Sequence, residues 1–320
     1  MESAGMIEKS KGNLLSGIGS QLAALIGLIA ICIVLTILSP HFLTLSNFFN
    51  ISRQAAVITI IAIGETFVIL TGGIDLSVGS LVTLTSCAMA LVMINTNNII
   101  LGVLVGLAVG VGVGFINGCL VAKADLPPFI VTLGMLGIAQ GMALVITFGR
   151  SMFGLPGTFK WIGQGSLFGI PAPLILVIIL FVIFHIILTY NRLGRYILAV
   201  GGNEQATRLS GVNVDLIKMS AYVISGFMGA IGGIVLSARI NSAHPAAGQG
   251  YELDAIAAAV IGGTSLMGGE GTIVGTLIGS FMMAVIRNGL NLLNVNSFWQ
   301  QIVIGVVIIV AVWMDRMRKR

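Results

Sequence analysis

"IILGVLVGLAVGVGVGFINGCLV" runs from Ile99 to Val121 without a single charged residue. About 20 apolar residues in a helix cross roughly 30 Å of hydrocarbon, so this stretch has the length and character of a membrane span. Gly102, Gly106, Gly110, Gly114 and Gly118 recur at every fourth position, which keeps them on one helix face. Small residues at that spacing let two backbones approach closely. The glycine face is read either as packing within one bundle or as a seam between two copies.

The same ruler, moved outward, finds ten such runs: near 20–38, 55–71, 77–94, 99–121, 128–148, 173–190, 216–238, 252–267, 270–290 and 297–314. The run at 252–267 is short and broken by glycine, and irregular backbone at that depth is tolerated only where protein or a cavity covers it. Hydrophobic residues make up 57% of the 320-residue chain and charged residues 8%, against about 25% charged in a soluble domain. So few charges cannot clothe a globule, and the bilayer must be the solvent. The expected fold is all-α: a polytopic membrane helix bundle of about ten transmembrane helices. A tail at 1–19 precedes a single transmembrane domain at 20–315, and a tail at 316–320 follows it. Cys32, Cys87 and Cys119 lie inside apolar runs, as small buried hydrophobes do, with neither a disulfide framework nor metal-ligand spacing. Pro40 follows the first run where a cleavable signal peptide would need small residues, so that run is read as a retained span.

Loop charge orients the bundle. With ten spans and the amino terminus inside, Lys9, Lys11, Lys123, Arg192, Arg195, Arg208, Lys218, Arg316, Arg318, Lys319 and Arg320 fall on the cytoplasmic side. Arg53, Arg150, Lys160, Arg239 and Arg287 fall outside. Both termini are therefore expected in the cytoplasm, and the net charge of +5 reflects topology, with no basic stripe for a nucleic acid. Gly73-Ile74-Asp75-Leu76-Ser77-Val78 echoes Gly250-Tyr251-Glu252-Leu253-Asp254-Ala255. One follows the second span and the other the seventh, on opposite sides, as an inverted repeat of spans 2–5 and 7–10 would place them.

No Gly-Lys pair occurs anywhere, so no P-loop cradles a phosphate and the chain is not expected to hydrolyse ATP. His41, His185 and His244 are scattered, and an enzyme reading has nothing to stand on. Ionisable groups within spans are more informative, because each costs about 2.5–3.5 kcal/mol on insertion scales unless sheltered. Glu65 lies mid-span, Asp75 follows Gly72-Gly73, and Glu252 and Asp254 open the eighth run; Asn117, Gln140, Asn288 and Asn291 add amides. Each is read as a satisfied bond within the bundle or as the lining of a path for a hydroxyl-rich solute. Asp75 is expected to cap the third span by accepting N–H bonds at the helix start. The external loop at 149–172 carries Phe153, Phe159, Trp161 and Phe168, as interfacial anchors or as a platform for an outside partner.

A polar island, "GRYILAVGGNEQATRLSGVN" (194–213), interrupts the apolar blocks within the loop 191–215. Asn203 is a good N-cap, Glu204 suits a first turn, and Gly211 fits the left-handed position past the last turn. Glu204 and Arg208 stand four apart in the favourable order. A helix of two turns is marginal alone in water, so Ala206 and Leu209 are read as a small apolar face held by a cytoplasmic partner.

Four stretches carry a family resemblance: "TGGIDLSVGS" (71–80), "NRLGRYILAVGGNEQATRLSGVNV" (191–214), "GYELDAIAAAVIGGTSLMGGEGTIVGTLIG" (250–279) and "NGLNLL" (288–293). From about residue 20 onward the chain resembles the ribose-type permease subunit of bacterial ABC sugar importers. The resemblance implies ten helices, a permease dimer in the bacterial inner membrane, a cytoplasmic ATPase that alone binds the ATP, and an extracytoplasmic sugar-binding protein. It places the ATPase contact on Gly201 to Gly211, taking in Gly202, Asn203, Glu204, Arg208 and Leu209. The expected function is inward movement of a monosaccharide, ribose or a similar pentose, by alternating access. The alternatives are an ion-coupled secondary carrier using Glu65 or Asp75, or a permease of the same kind for another small polar solute such as a furanose signal.

Overall fold

The computed structural model describes residues 21–318, so the expected tail 1–19 and Lys9, Lys11, Lys319 and Arg320 lie outside the described residues. All ten apolar runs form helices. The first five are α1 (Gln21–Leu38), α2 (Leu45–Leu70), α3 (Val78–Thr96), α4 (Ile99–Ala122) and α5 (Pro128–Thr147). Then come short α6 (Trp161–Gln164), the strands β1 (Ser166–Leu167) and β2 (Ile170–Pro171), and α7 (Ala172–Tyr190). Two connecting helices, α8 (Arg192–Gly202) and α9 (Glu204–Leu209), lead into α10 (Val214–Ile240), α11 (Tyr251–Ile261), α12 (Ile273–Leu292) and α13 (Ser297–Arg318). Among the described residues, α1–α5, α7, α10 and α12 are long and apolar enough to cross a membrane.

Helix starts are written in short polar side chains. Thr44, Asn98, Asn203, Asn213 and Thr272 each accept the N–H three residues on, filling one of the orphan donors of a first turn. Thr44 explains why α2 begins ten residues before the apolar run at 55–71. Its first turns hold Asn47 and Ser52, buried because Asn47 bonds Phe42 and Asn288 and Ser52 bonds the Phe48 carbonyl. Arg53 and Arg287, expected in external loops, consequently stand within α2 and α12.

The eighth run, expected to span over 252–267, stops at Ile261. Gly262 and the left-handed Gly263 (φ +93°) end the helix, and Gly268 and Gly269 (φ +85° and +76°) turn the chain again. Eleven residues reach only about 16 Å at 1.5 Å each, so α11 is a half-span. Its backbone is sheltered by protein, as irregular structure at that depth must be.

α2 is central: 89% of its most apolar window is buried, against 11% for α1. It packs on α10, and the surrounding contacts come in matching pairs. α10 packs on α3 and α4 as α2 packs on α11 and α12; α3 packs on α4 and α5 as α11 packs on α12 and α13. Exchanging α2–α5 with α10–α13 maps these pairs onto one another, as an internal repeat does. The glycine stripes serve this packing. A Cβ at Gly110, Gly114 or Gly118 would run into α10 at Gly226, Tyr222 or Met219, and one at Gly102 into Met93 of α3, while Gly106 lies in ordinary contact with Met89. The stripe on α12 likewise meets α11, with Gly275 on Gly262 and Gly279 on Ala258.

Two faces close the bundle. On one, the end of α2, the turn 262–272 and α8 meet. On the other, the loop 149–172 folds over the end of α10. Met152 bridges Ala243, and the Gln164 amide donates to the Arg239 carbonyl at 2.9 Å. This loop is ordered into α6 and a β1–β2 hairpin whose tip, Phe168-Gly169, has φ positive at both positions, as a tight hairpin turn requires.

Candidate translocation and coupling sites

The chain breaks between α2 and α3 to build a buried polar cluster. Gly72 turns with φ +81°, and Gly73 lies against Tyr222, whose hydroxyl would be 2.5 Å from a Cβ there. Asp75 follows, fully buried. Its Oδ1 accepts the Ser77 N–H at 3.0 Å and the Ser77 hydroxyl at 2.5 Å; its Oδ2 accepts the Ser225 hydroxyl at 2.9 Å. The Asp75 N–H donates to Glu65 Oε1 at 3.0 Å, and the Asn117 amide donates to Ser77 Oγ at 3.0 Å. Gly64 lets α10 come close, since a Cβ there would stand 3.0 Å from Ser225 Cα. Three expected path residues, Glu65, Asp75 and Asn117, thus come together from α2, the 71–77 break and α4.

Asp75 is not the cap of α3. The cap position is Ser77, without a side-chain cap bond; Asp75 accepts the N–H of Ser77 itself, one residue too early. The reason is tertiary, because Ser225 from α10 claims the second carboxylate oxygen. Reading the sequence misses Ser77, Tyr222 and Ser225 altogether. The one signal for the last two was a pair of hydroxyl groups a helical turn apart inside an apolar run.

A second group lies where the halves cross. Gly248, in the loop between α10 and α11, packs backbone to backbone on Gly79 in the first turn of α3, and its N–H donates to Thr83 Oγ1 at 2.9 Å. Glu252 is beside this crossing and accepts the Gly250 N–H at 3.2 Å. Asp254, 1% exposed, pairs with Arg287 of α12 at 2.7 Å. The stretches around 73–78 and 250–255, similar in sequence, therefore sit against one another.

The remaining expected path residues are elsewhere. Gln140 donates to the Pro245 carbonyl at 2.6 Å. Asn288 and Asn47 exchange two amide bonds, at 2.8 and 3.0 Å. Exposed Asn291 accepts from Gln300 at 2.8 Å, tying α12 to α13. Most of these polar groups are hydrogen-bonded to other parts of the chain.

The island is the coupling candidate. α9 spans Glu204–Leu209, with the Asn203 side chain accepting the Ala206 N–H at 2.9 Å and Gly211 left-handed at φ +83°. The Glu204–Arg208 pair forms at 3.3 Å. The chain's own α10 steadies this short helix: Glu204 meets Lys218 at 2.6 Å and Arg208 meets Asp215 at 2.8 Å. Burial pushes the Glu204 carboxyl up, but the Lys218 and Arg208 bonds outweigh it and hold it below its ordinary value. Asp215, with Glu204, raises the Arg208 guanidinium. Leu209 is left 90% exposed, and Ala206 and Gly202 are exposed with it. Gly201 differs: it packs inward, against the Leu70 carbonyl and Gly269.

Residues 47–312 match the model of a family described as branched-chain amino acid transport system / permease component. The ribose import permease protein of Escherichia coli is 46% identical over 300 residues, covering 92% of this chain and 94% of that one. The Bacillus subtilis ribose import permease protein is 44% identical over 303 residues, 94% of each chain. The D-allose transport system permease protein of Escherichia coli is 42% identical over 282 residues, 88% of this chain and 86% of that one. No solved structure matches the chain.

Proposed function

Because the chain belongs to the branched-chain amino acid transport system permease family, we propose that it is the membrane subunit of an ATP-driven importer of a monosaccharide, ribose or a similar pentose. The observation that carries this reading is identity above 40% along nearly the full length of relatives named for ribose and D-allose. The chain is a transport component. In this reading ATP is bound by a separate cytoplasmic ATPase, and a sugar-binding protein delivers solute on the opposite side. Two permease copies in a bacterial inner membrane form the path, and both termini face the cytoplasm with the basic loops.

The work of this chain is then mechanical. Leu209, Ala206 and Gly202 present a small surface on the α8–α9 face, and Glu204 and Arg208 fix that surface to α10 by ion pairs. Movement of the ATPase pushes on α9, α10 follows, and the bundle opens to one side at a time. A different small polar solute, such as a furanose signal, leaves this mechanism intact and changes the ligand. An ion-coupled carrier using Glu65 or Asp75 is disfavoured, since the relatives matched along nearly the full length are named as import permease and transport system permease proteins. Reconstitution into vesicles tests the assignment. Ribose accumulation is expected only when the ATPase, the binding protein and ATP are all supplied. Accumulation by the chain alone under a proton gradient would overturn it.

A further inference from the structure

Four glycines from three separate segments meet on the α8–α9 face. Gly72 follows α2, Gly201 lies in the last turn of α8, and Gly268 and Gly269 lie in the turn after the half-helix α11. A Cβ at Gly201 would collide with the Leu70 carbonyl oxygen and crowd the Gly269 nitrogen. One at Gly268 would stand 2.9 Å from the Gly72 nitrogen and 3.0 Å from Gly201 Cα; one at Gly269 would be 2.8 Å from the Gly202 nitrogen. The Gly269 N–H donates to the Leu70 carbonyl at 3.0 Å, so the turn after α11 satisfies the end of α2 while α8 seats on both. Backbone meets backbone here, with no flexible side chain between to absorb a displacement.

We infer that this junction transmits movement of the coupling segment to both broken regions of the membrane domain at once, with Gly201 as the positioning residue. The inference rests on the reading that the segment around α9 docks on an ATPase. One branch leads from Gly72 to Asp75, which holds Glu65, Ser77 and Ser225. The other leads from Gly268 and Gly269 back through Gly262 to α11 and the Asp254–Arg287 pair. These branches reach the two repeat-related stretches, which touch at Gly79 and Gly248. Close-packed contacts of this kind have discrete arrangements and do not stretch, which is what lets a small displacement carry across a fold.

Two glycines supply the test in the assembled complex with its ATPase and binding protein. Gly201→Ala should still assemble and hydrolyse ATP. Sugar moved per ATP should fall by roughly tenfold or more, the scale of a lost coupling energy. Gly112→Ala, on α4 away from the docking face, adds the same methyl where nothing lies within 4 Å and should lose far less. Equal ratios in the two variants would overturn the proposal. Should Gly201→Ala fail to assemble, spin labels on Tyr196→Cys in α8 and Met267→Cys, both exposed on this face, decide the matter. Their separation should be the same with and without bound nucleotide; a change of several ångströms would sink the idea. Failure of the docking reading itself looks different, as full uptake by Leu209→Asp.

Discussion

At the residue scale, the buried acids set the strongest constraints. Asp254 is almost fully enclosed and its partner Arg287 is a quarter exposed. Removing one member of such a pair leaves an uncompensated charge, at a cost of about 3–5 kcal/mol, whereas replacing both with apolar side chains is often neutral. Arg287→Met should therefore lower the thermal stability of the purified protein sharply, and Asp254→Leu with Arg287→Met should recover most of it. A double variant no more stable than the single one would mean that the pair is not what joins α11 to α12. Asp75 is the companion case. Asp75→Asn keeps an acceptor for the Ser77 N–H but offers only one oxygen where Ser77 and Ser225 used two. It should accumulate at somewhat reduced levels and transport, while Asp75→Leu, which leaves both buried serines without their acceptor, should fail to accumulate. Normal levels of Asp75→Leu in membranes would contradict a fastening role.

At the element scale, α9 is a two-turn helix steadied on one side and open on the other. Ion pairs to Lys218 and Asp215 hold it to α10, and Leu209 projects free. Leu209→Asp places a charge where an apolar contact with the ATPase is proposed, and burying it unpaired costs several kcal/mol. The variant should reach the membrane at normal levels, lose the ATPase on purification and lose uptake. Glu204→Gln should be much milder, since its pairs are partly solvated. The pH response has a definite sign. Glu204 is held below its ordinary 4.5, so its contribution is present above that value and is lost as pH falls through the lower folded value. A spin label on Ser210→Cys should thus be immobile at neutral pH and gain mobility only under acid conditions below 4.5; mobility rising between pH 8 and 6 would exclude these ion pairs as the anchor.

At the scale of the whole molecule, the loop charges carry the proposed orientation, and α2, α3, α10 and α11 pack on their neighbours in matching pairs. Reporter fusions after Lys123 and Arg208 should report the cytoplasm, and those after Asn97 and Lys160 the exterior. An external signal at Arg208 would remove α9 from any ATPase. Ten apolar runs, the cap at Asn203, the left-handed Gly211 and the Glu204–Arg208 pair were legible directly, because burial of apolar length and the geometry of one helical turn are local matters. The resemblance of the four marked stretches pointed to the family for the same reason, since it too resides in consecutive residues. Where α11 stops, why α2 starts at Leu45 and what Asp75 binds were decided only in three dimensions. Each depends on a partner far along the chain: Gly275 against Gly262, Asn288 against Asn47, Ser225 against Asp75. A buried polar group or a close backbone contact takes its meaning from what faces it, and sequence spacing alone does not say which helix that will be.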